Sequence, residues 1–215
     1  MVQITSQASR TRYEKKEELW NAITHGIGAL LGIPGLILLI LKAAENESAI
    51  AMTSYIIFGV SIIVMFLAST LYHSIPKYKT ALKKFDHSSI FLLIAGTYTP
   101  VMLVAFGGPI GWAVFAVEWV LASIGIILKQ FFVYRFKIVS LAVYIGMGWL
   151  IIFISKPLIG MIGMSGFGWL LAGGLFYTIG TYFYKNHKIR YNHAIWHLFV
   201  LAGCACMWCC VYFYI

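Results

Sequence analysis

Long apolar stretches separated by short polar breaks run along almost the whole chain. A helix that crosses a bilayer needs about 20 apolar residues, and seven stretches have roughly that length. The breaks contain residues that end helices or form turns, as at residues 45–48, Pro76 and residues 107–109. A further loop is predicted from Pro157 to the glycine at 166. The pattern predicts seven helices, at about 19–43, 50–75, 87–106, 111–128, 138–155, 167–184 and 193–214.

The composition indicates that the apolar stretches lie in lipid. Of 215 residues, 61% are hydrophobic and 11% are charged, whereas a soluble domain carries about 25% charged residues. We therefore predict an all-α integral membrane protein, a seven-transmembrane helix bundle formed by one membrane domain at 19–215. A polar arm at 1–18 precedes it. Because this arm shows no short apolar core with a cleavage site, we expect the first helix itself to direct insertion.

The basic residues are distributed unevenly over the predicted loops. Fourteen of the sixteen Lys and Arg residues lie in the N-terminal arm and in the second, fourth and sixth loops, which leaves only Lys42 and Lys156 on the other side. The positive-inside rule then predicts a cytoplasmic N-terminus and a C-terminus outside. With six helices, the basic loops would no longer all lie on the same side of the membrane. The net charge of +9 is thus explained by topology, and membrane lipid, not nucleic acid, is the expected partner.

Candidate metal ligands lie near the predicted cytoplasmic ends of three helices. His193 and His197 begin the seventh helix, Ser69 and His73 end the second, and Asp86 lies where the third begins. A spacing of four residues puts two side chains on one face of a helix. The topology places all five residues about 5–10 Å beneath the cytoplasmic surface. Three imidazoles with one open position are typical of catalytic zinc, so we predict zinc bound by His73, His193 and His197.

The sequence leaves the roles of the other two residues open. Asp86 is either a fourth ligand or a general base that holds a water molecule. Ser69 either supports a ligand or donates a hydrogen bond to a polarised carbonyl group. A simpler hypothesis is that each histidine only joins two helices by a hydrogen bond. The common depth of the three histidines favours the metal, because ionisable groups within spans usually have a function.

Other polar residues in the spans lead to separate predictions. Glu118 lies mid-helix, about half a bilayer from the metal, and is either a relay for protons or substrate or a protonated acid that bonds a neighbouring helix. His25 begins the first helix on the metal side, and we expect it to lie beside the ligands or to be structural. His87 should face away from the ion, about 100° around the helix from Asp86, and His187 should be solvated.

Small residues in the spans are expected to serve packing. Gly28 and Gly32 form a G-x3-G pattern in the first helix, and Gly168 to Gly180 give the sixth a small face, both of which favour close helix contacts. The four cysteines fall within seven residues of the last helix and are predicted to be buried packing residues. They are Cys204, Cys206, Cys209 and Cys210.

The combined motifs resemble those of the PAQR family, in particular its bacterial hemolysin III branch. The resemblance extends from about Glu18 to the seventh helix and rests on several patterns. These are Ser69-x3-His73, Phe85-Asp86, His193-x3-His197, Asn21-x2-Thr24-His25-x2-Gly28, and Ala-Gly-Thr-Tyr-Thr-Pro at 95–100. It implies a seven-helix bundle in the bacterial plasma membrane with a cytoplasmic N-terminus. It also implies zinc on the three histidines, with Asp86 and Ser69 beside it.

The resemblance also bears on function. The wider superfamily includes alkaline ceramidases and adiponectin receptors, which implies hydrolysis of lipid amides. From the residues and the resemblance we predict a zinc-dependent hydrolase that acts on a lipid amide or ester near the cytoplasmic leaflet. One alternative is a cytolysin, as the hemolysin name implies, although seven apolar spans are unfavourable for a soluble secreted form. The other is a sensor or regulator of membrane lipid in which zinc is structural.

Overall fold

The computed structural model is all-helical and describes residues 2–45 and 47–215, with side chains described from residue 15 onward except at 46 and 137. Three short segments continue or link the main helices: a 3-10 turn at Pro76–Tyr78, a π-helical turn at Val101–Phe106 and a 3-10 segment at Leu150–Ile154. The main helices are α1 (Val2–Glu45), α2 (Ala49–Ser74), α3 (Lys79–Pro100), α4 (Gly108–Phe132), α5 (Lys137–Trp149), α6 (Ser155–Lys185) and α7 (Asn192–Tyr214).

Three helices begin well before their predicted starts, among them α6, which begins at Ser155 instead of 167. Helix α1 begins at Val2 instead of 19, so the predicted polar arm continues directly into the first apolar segment. Helix α3 begins at Lys79 instead of 87, because the basic residues that follow Pro76 are good helix formers and only the short 3-10 turn interrupts the chain. Asp86 therefore lies two turns inside α3 and does not open it.

The described residues contain six helical segments that are long and apolar enough to cross a membrane. They are Lys15–Glu45, Ala49–Ser74, Pro76–Phe106, Gly108–Phe132, Ile138–Lys185 and Asn192–Tyr214. Their outer surface carries many large apolar side chains, including Leu30, Phe131 and Phe153, which are 69%, 74% and 85% exposed. Such a continuous apolar exterior is stable in lipid, where helices satisfy their own backbone hydrogen bonds. The fold is that of an integral membrane helical bundle.

The loop predicted at residues 156–166 is helical apart from a single residue. Gly163 has φ 71° and ψ 169°, a conformation that favours glycine, and lies inside the segment assigned to α6. Pro157 is tolerated because it falls in the first turn of α6, where backbone N–H groups have no helical partner. The glycines on either side, Gly160 and Gly166, have helical backbones.

The Ile138–Lys185 segment folds back on itself. Trp149 Nε1 donates a hydrogen bond of 3.0 Å to Thr178 Oγ1, although 29 residues separate them. A straight helix would place these residues about 43 Å apart. The chain therefore reverses direction between α5 and the second part of α6, and Gly163 lies midway between the two bonded residues.

Helices α1, α2 and α7 share one apolar core. It includes Leu39 of α1, Tyr55, Phe58 and Phe66 of α2, and Val200 of α7. A Cβ atom on Gly28 would lie 2.8 Å from side-chain atoms of both Phe66 and Leu201, which confirms the predicted close packing of the first helix. This three-helix contact brings the end of α2 and the start of α7 together.

Candidate metal centre

The three predicted histidine ligands meet at one point. His73 comes from the last turn of α2, while His193 and His197 come from the first two turns of α7. One ligating nitrogen from each residue lies within 4.8 Å of the other two. The ring centroids are 5.1 Å apart for His73 and each of the other rings, and 4.7 Å apart for His193 and His197. The predicted convergence of the three rings is confirmed.

The link between α6 and α7 fixes where the two α7 histidines lie. Tyr191, just before α7, adopts a left-handed backbone with φ 57°. The Asn192 side chain donates to the carbonyl oxygens of Phe183 at 3.0 Å and Tyr184 at 3.4 Å. These bonds satisfy carbonyl groups that the end of α6 leaves without helical partners. They hold the first turn of α7 against the last turn of α6.

Helix α1 orients two of the three rings. His73 Nδ1 donates to Glu18 Oε2 at 2.8 Å, and His197 Nδ1 donates to the Asn21 carbonyl oxygen at 3.1 Å. The Thr24 hydroxyl lies 3.2 Å from the same His197 nitrogen. Metal-binding histidines usually donate their second nitrogen to a carboxylate or a backbone carbonyl in this way. In both rings Nε2 is then left for the ion.

Glu18 is a site residue that the sequence-based prediction missed. Its carboxylate also accepts a bond of 3.1 Å from Lys79 Nζ, which ties α1 to the start of α3. A signal for it was present in the sequence, because Glu18, Asn21 and His25 follow a spacing of three and four residues that puts them on one helical face. That polar face contacts two of the three histidines, His73 and His197.

Ser69 and Asp86 lie close to each other next to the histidines. Both line the cavity beside them, and Ser69 and His73 are close enough to interact with the Asp86 carboxylate. Among the described residues, the group of ligating atoms within 4.8 Å consists of the three histidines alone. Asp86 is thus beside that group, and its predicted role as ligand or base stays a prediction, as does the role of Ser69.

The other histidines are not part of the ligating group. His25 stacks on His197, with ring centroids 3.5 Å apart and an interplanar angle of 11°, which agrees with the prediction that it lies beside the ligands. Both of its ring nitrogens are buried without a hydrogen bond to any described residue. His87 lines a cavity beside the three histidines. Its carbonyl oxygen accepts a hydrogen bond from Tyr144. His187 is exposed, as predicted.

Glu118 lies apart from the histidines, as predicted. The side chain is fully buried at the middle of α4 and is not among the residues that line the cavity beside the histidines. Neither carboxyl oxygen accepts a hydrogen bond from any described residue. The hydrogen bond to a neighbouring helix, which one of the two hypotheses for Glu118 requires, is therefore absent from the described part of the chain.

A cavity of about 160 Å³ opens beside the candidate ligands. Its polar end is formed by Ser69, Asp86, His193 and His197, and from there it extends along apolar side chains to Trp149. Leu93, Ile94, Ile145, Val200 and Met207 are among the apolar residues of the wall. A molecule with a long apolar part can thus reach the polar groups next to the histidines.

The residues present fit a divalent metal ion. Two nitrogen atoms bound to one zinc ion are at most about 4.2 Å apart, since each Zn–N bond is about 2.1 Å. Small side-chain rotations would bring atoms that lie within 4.8 Å into that range. His73 Nε2 is buried and bonds to no described residue, and such an orphaned acceptor is unfavourable unless a ligand pairs with it. Three imidazoles suit zinc and several other transition metals.

Comparison with known proteins agrees with the sequence motifs. Residues 13–208 match the family described as haemolysin-III related. The chain is 50% identical to Hemolysin-3 of Bacillus cereus over 214 residues, which cover 99% of this chain and 98% of that protein. It is 51% identical to the Hemolysin-3 homolog of Bacillus subtilis (strain 168) over 201 residues, 93% of this chain and 94% of the relative.

A more distant relative comes from animals. The Monocyte to macrophage differentiation factor of Homo sapiens is 28% identical over 199 residues, which cover 88% of this chain and 80% of that protein. The family match, the bacterial relatives and the six apolar segments together identify a multi-pass protein of the cell membrane. The chain belongs to the haemolysin-III-related family, in the bacterial hemolysin III branch of the PAQR proteins.

Proposed function

We propose that the protein is a zinc-dependent hydrolase that cleaves a lipid amide or ester near the cytoplasmic leaflet. The observation that supports this most is the convergence of His73, His193 and His197, with ligating atoms within 4.8 Å of one another, next to a carboxylate and an apolar cavity. Catalytic zinc sites combine three protein ligands with an open position. A purely structural site would usually be closed by a fourth protein ligand.

In this proposal the chain's own residues divide the work. His73, His193 and His197 hold the ion, and Glu18 and the Asn21 carbonyl orient two of the rings. A divalent ion supplies Lewis acidity that activates water and polarises a carbonyl group. Asp86 accepts the proton of the attacking water and returns it to the leaving group. Ser69, which lies close to the Asp86 carboxylate, orients it.

We also propose that the bundle crosses the membrane seven times with a cytoplasmic N-terminus. The reversal inside Ile138–Lys185, with Trp149 bonded to Thr178, supports counting that segment as two spans. The distribution of Lys and Arg supports the orientation. Residues 19–215 are then one membrane domain, and the histidines lie near its cytoplasmic face.

Replacing His197 by Ala tests the hydrolase proposal. Zinc-loaded protein in nanodiscs is incubated with a fluorogenic lipid amide and with the matching ester. We expect wild-type protein to release product from one of them, and His197→Ala to lose both the zinc and the turnover. His187→Ala, which changes an exposed histidine, is the matched control and should behave as wild type. Turnover that survives in His197→Ala would contradict the proposal.

A structural metal is the main alternative. The candidate ligands join α2 to α7 where both contact α1, so an ion there would also hold three helices together. The two roles differ in thermal unfolding with and without chelator. A hydrolase site predicts a fold that largely survives metal removal, whereas a structural site in a lipid sensor predicts that chelation unfolds the bundle.

A cytolytic role is less favoured. It comes from the name of the Bacillus cereus relative, Hemolysin-3. The exposed apolar side chains around the bundle require lipid or a carrier, and a protein of this kind cannot leave the cell in a free soluble form. Detecting the protein outside intact producing cells at natural expression levels would support cytolysis.

A further inference from the structure

Lys129 is a buried cation in the wall of the cavity. Its side chain belongs to the last turn of α4 and is only 4% exposed. Its Nζ donates to Ser140 Oγ on α5 at 2.6 Å, and that hydroxyl donates to the Phe136 carbonyl oxygen at 3.0 Å. Neither ion pair found among the described residues includes Lys129. A charge removed from water without an opposite charge is costly.

The surroundings of Lys129 add to this cost. Lys83 is close enough to interact with it electrostatically, and like charges repel. Asp86 and Lys129 both line the cavity. The Asp86 carboxylate lies near Ser69 of α2, whereas Lys129 bonds Ser140 of α5 and is followed in α4 by Gln130, which bonds Ser88 of α3 at 3.2 Å. The wall that α4 and α5 form therefore carries a cation, and the ion pairs found among the described residues do not join it to Asp86.

We propose that Lys129 binds the anionic group of an amphiphile, a phosphate or a carboxylate, whose hydrocarbon chain occupies the apolar part of the cavity. This inference rests on the proposed function, because it names the class of substrate for that site. Nζ donates three hydrogen bonds, and Ser140 takes one of them. The remaining two are available to anionic oxygens, and charge-assisted bonds of this kind are about twice as strong as neutral ones.

The geometry also gives the bound molecule a direction. Leu141, Tyr144 and Ile145 continue along α5 from Ser140, and they line the cavity together with Lys129. An amphiphile anchored at Lys129 would lay its chain against this apolar wall, toward Trp149. Its polar part would then lie in the cavity that His193 and His197 also line. A neutral amphiphile would leave Lys129 with Ser140 alone, so charge selectivity is the measurable consequence.

The test is equilibrium binding of two matched probes to the zinc-loaded protein. Tritiated dodecyl phosphate and tritiated dodecanol are titrated into phosphatidylcholine nanodiscs that contain the protein, and binding to empty nanodiscs is subtracted. We expect dodecyl phosphate to bind about tenfold more tightly, which corresponds to about 1.4 kcal/mol. Lys129→Met should remove this preference, and Lys129→Arg should keep it. Lys77→Met, at an exposed lysine, is the control and should match wild type.

Competition separates the sources of the anion. The competitors of the tritiated probe are phosphatidylglycerol in the nanodisc and unlabelled dodecyl phosphate. Displacement by phosphatidylglycerol supports a bilayer lipid as the ligand. Displacement by dodecyl phosphate but not by phosphatidylglycerol supports a single-chain amphiphile. Displacement by inorganic phosphate at equal concentration would overturn the proposal, because the chain would then contribute nothing.

Two further results would overturn it. One is equal binding of both probes by wild-type protein, which needs no variant. The other is an anion preference that persists in folded Lys129→Met, which would place the anion on the metal. The measurement involves no turnover, so a protein without hydrolase activity can still show the preference. Failure of the proposed function is seen separately, in the zinc content and turnover of His197→Ala.

Discussion

The two ends of α7 carry similar runs of metal-binding residue types but have different surroundings. At one end His193 and His197 are four residues apart, and at the other Cys206 and Cys210 have the same spacing. The histidines meet His73 of α2, and helix α1 orients two of the three rings. The cysteines are free thiols, and the group of candidate ligands found in the described chain includes none of them.

The contacts of the cysteines explain this difference. Cys204 accepts a hydrogen bond from Tyr177, and Cys210 donates one to the Gly166 carbonyl oxygen at 3.3 Å. Both sulfur atoms therefore contribute to the packing of α6 on α7, as predicted for buried thiols. Spacing on one helix shows which side chains share a face, but a metal centre also needs a ligand from a second helix and groups that orient the rings.

Substitutions at the two ends of α7 should affect metal content very differently, and this is the largest effect that we expect. His193→Ala removes one of three ligands and should reduce bound zinc from about one ion per chain to almost none. Cys206→Ala, its counterpart at the other end, should leave the metal content unchanged. Elemental analysis of both purified variants measures their zinc content. Loss of zinc from Cys206→Ala would contradict this prediction.

A smaller effect is expected at the residue that orients His73. Glu18→Gln keeps the shape of the side chain but removes the charge that accepts the His73 Nδ1–H bond and pairs with Lys79. Substitutions of such orienting groups usually lower metal affinity by about 10–100-fold. Competition with a zinc chelator of known affinity measures the change.

The control for this change is Glu45→Gln, which removes the same charge from the opposite end of α1. It should retain wild-type zinc affinity. If both variants bound zinc equally well, Glu18 would be a surface ion pair and would not position His73.

The smallest effect is expected at the cysteine end. Cys210 is fully buried, and Cys210→Ala should lower the free energy of unfolding by about 1 kcal/mol, the typical cost of a point substitution, without loss of zinc. Cys209→Ala, at a partly exposed position, should cost less. Thermal unfolding in detergent compares the two, and an equal or larger loss for Cys209→Ala would contradict the packing role of Cys210.

The sequence predicted the parts of the site that depend on periodicity. The four-residue spacing and the positions of the basic loops were enough to predict that His73, His193 and His197 lie close together. Predicting Glu18 required knowledge of which face of α1 contacts α2 and α7, and that face is set by the close packing of Gly28 against Phe66 and Leu201. Tertiary contacts of this kind cannot be read from the pattern of a single helix.

The errors in the predicted fold have a related cause. Proline and glycine at residues 156–166 predict a loop, since they usually end helices. Pro157 falls in the first turn of α6, where it costs no helical hydrogen bond, so within this stretch only Gly163 lies outside helical backbone angles. Polar residues after Pro76 were likewise assigned to a loop, although α3 already begins at Lys79. Polar character alone does not mark the end of a helix that extends beyond the bilayer.

X-ray absorption at the metal edge of the purified, zinc-loaded protein shows whether the three histidines bind zinc, because nitrogen and sulfur ligands lie at different distances from the ion. We expect one ion per chain with a nitrogen and oxygen shell at about 2.0–2.1 Å, which disappears in His193→Ala. A sulfur shell at about 2.3 Å, or the absence of any bound ion, would contradict it.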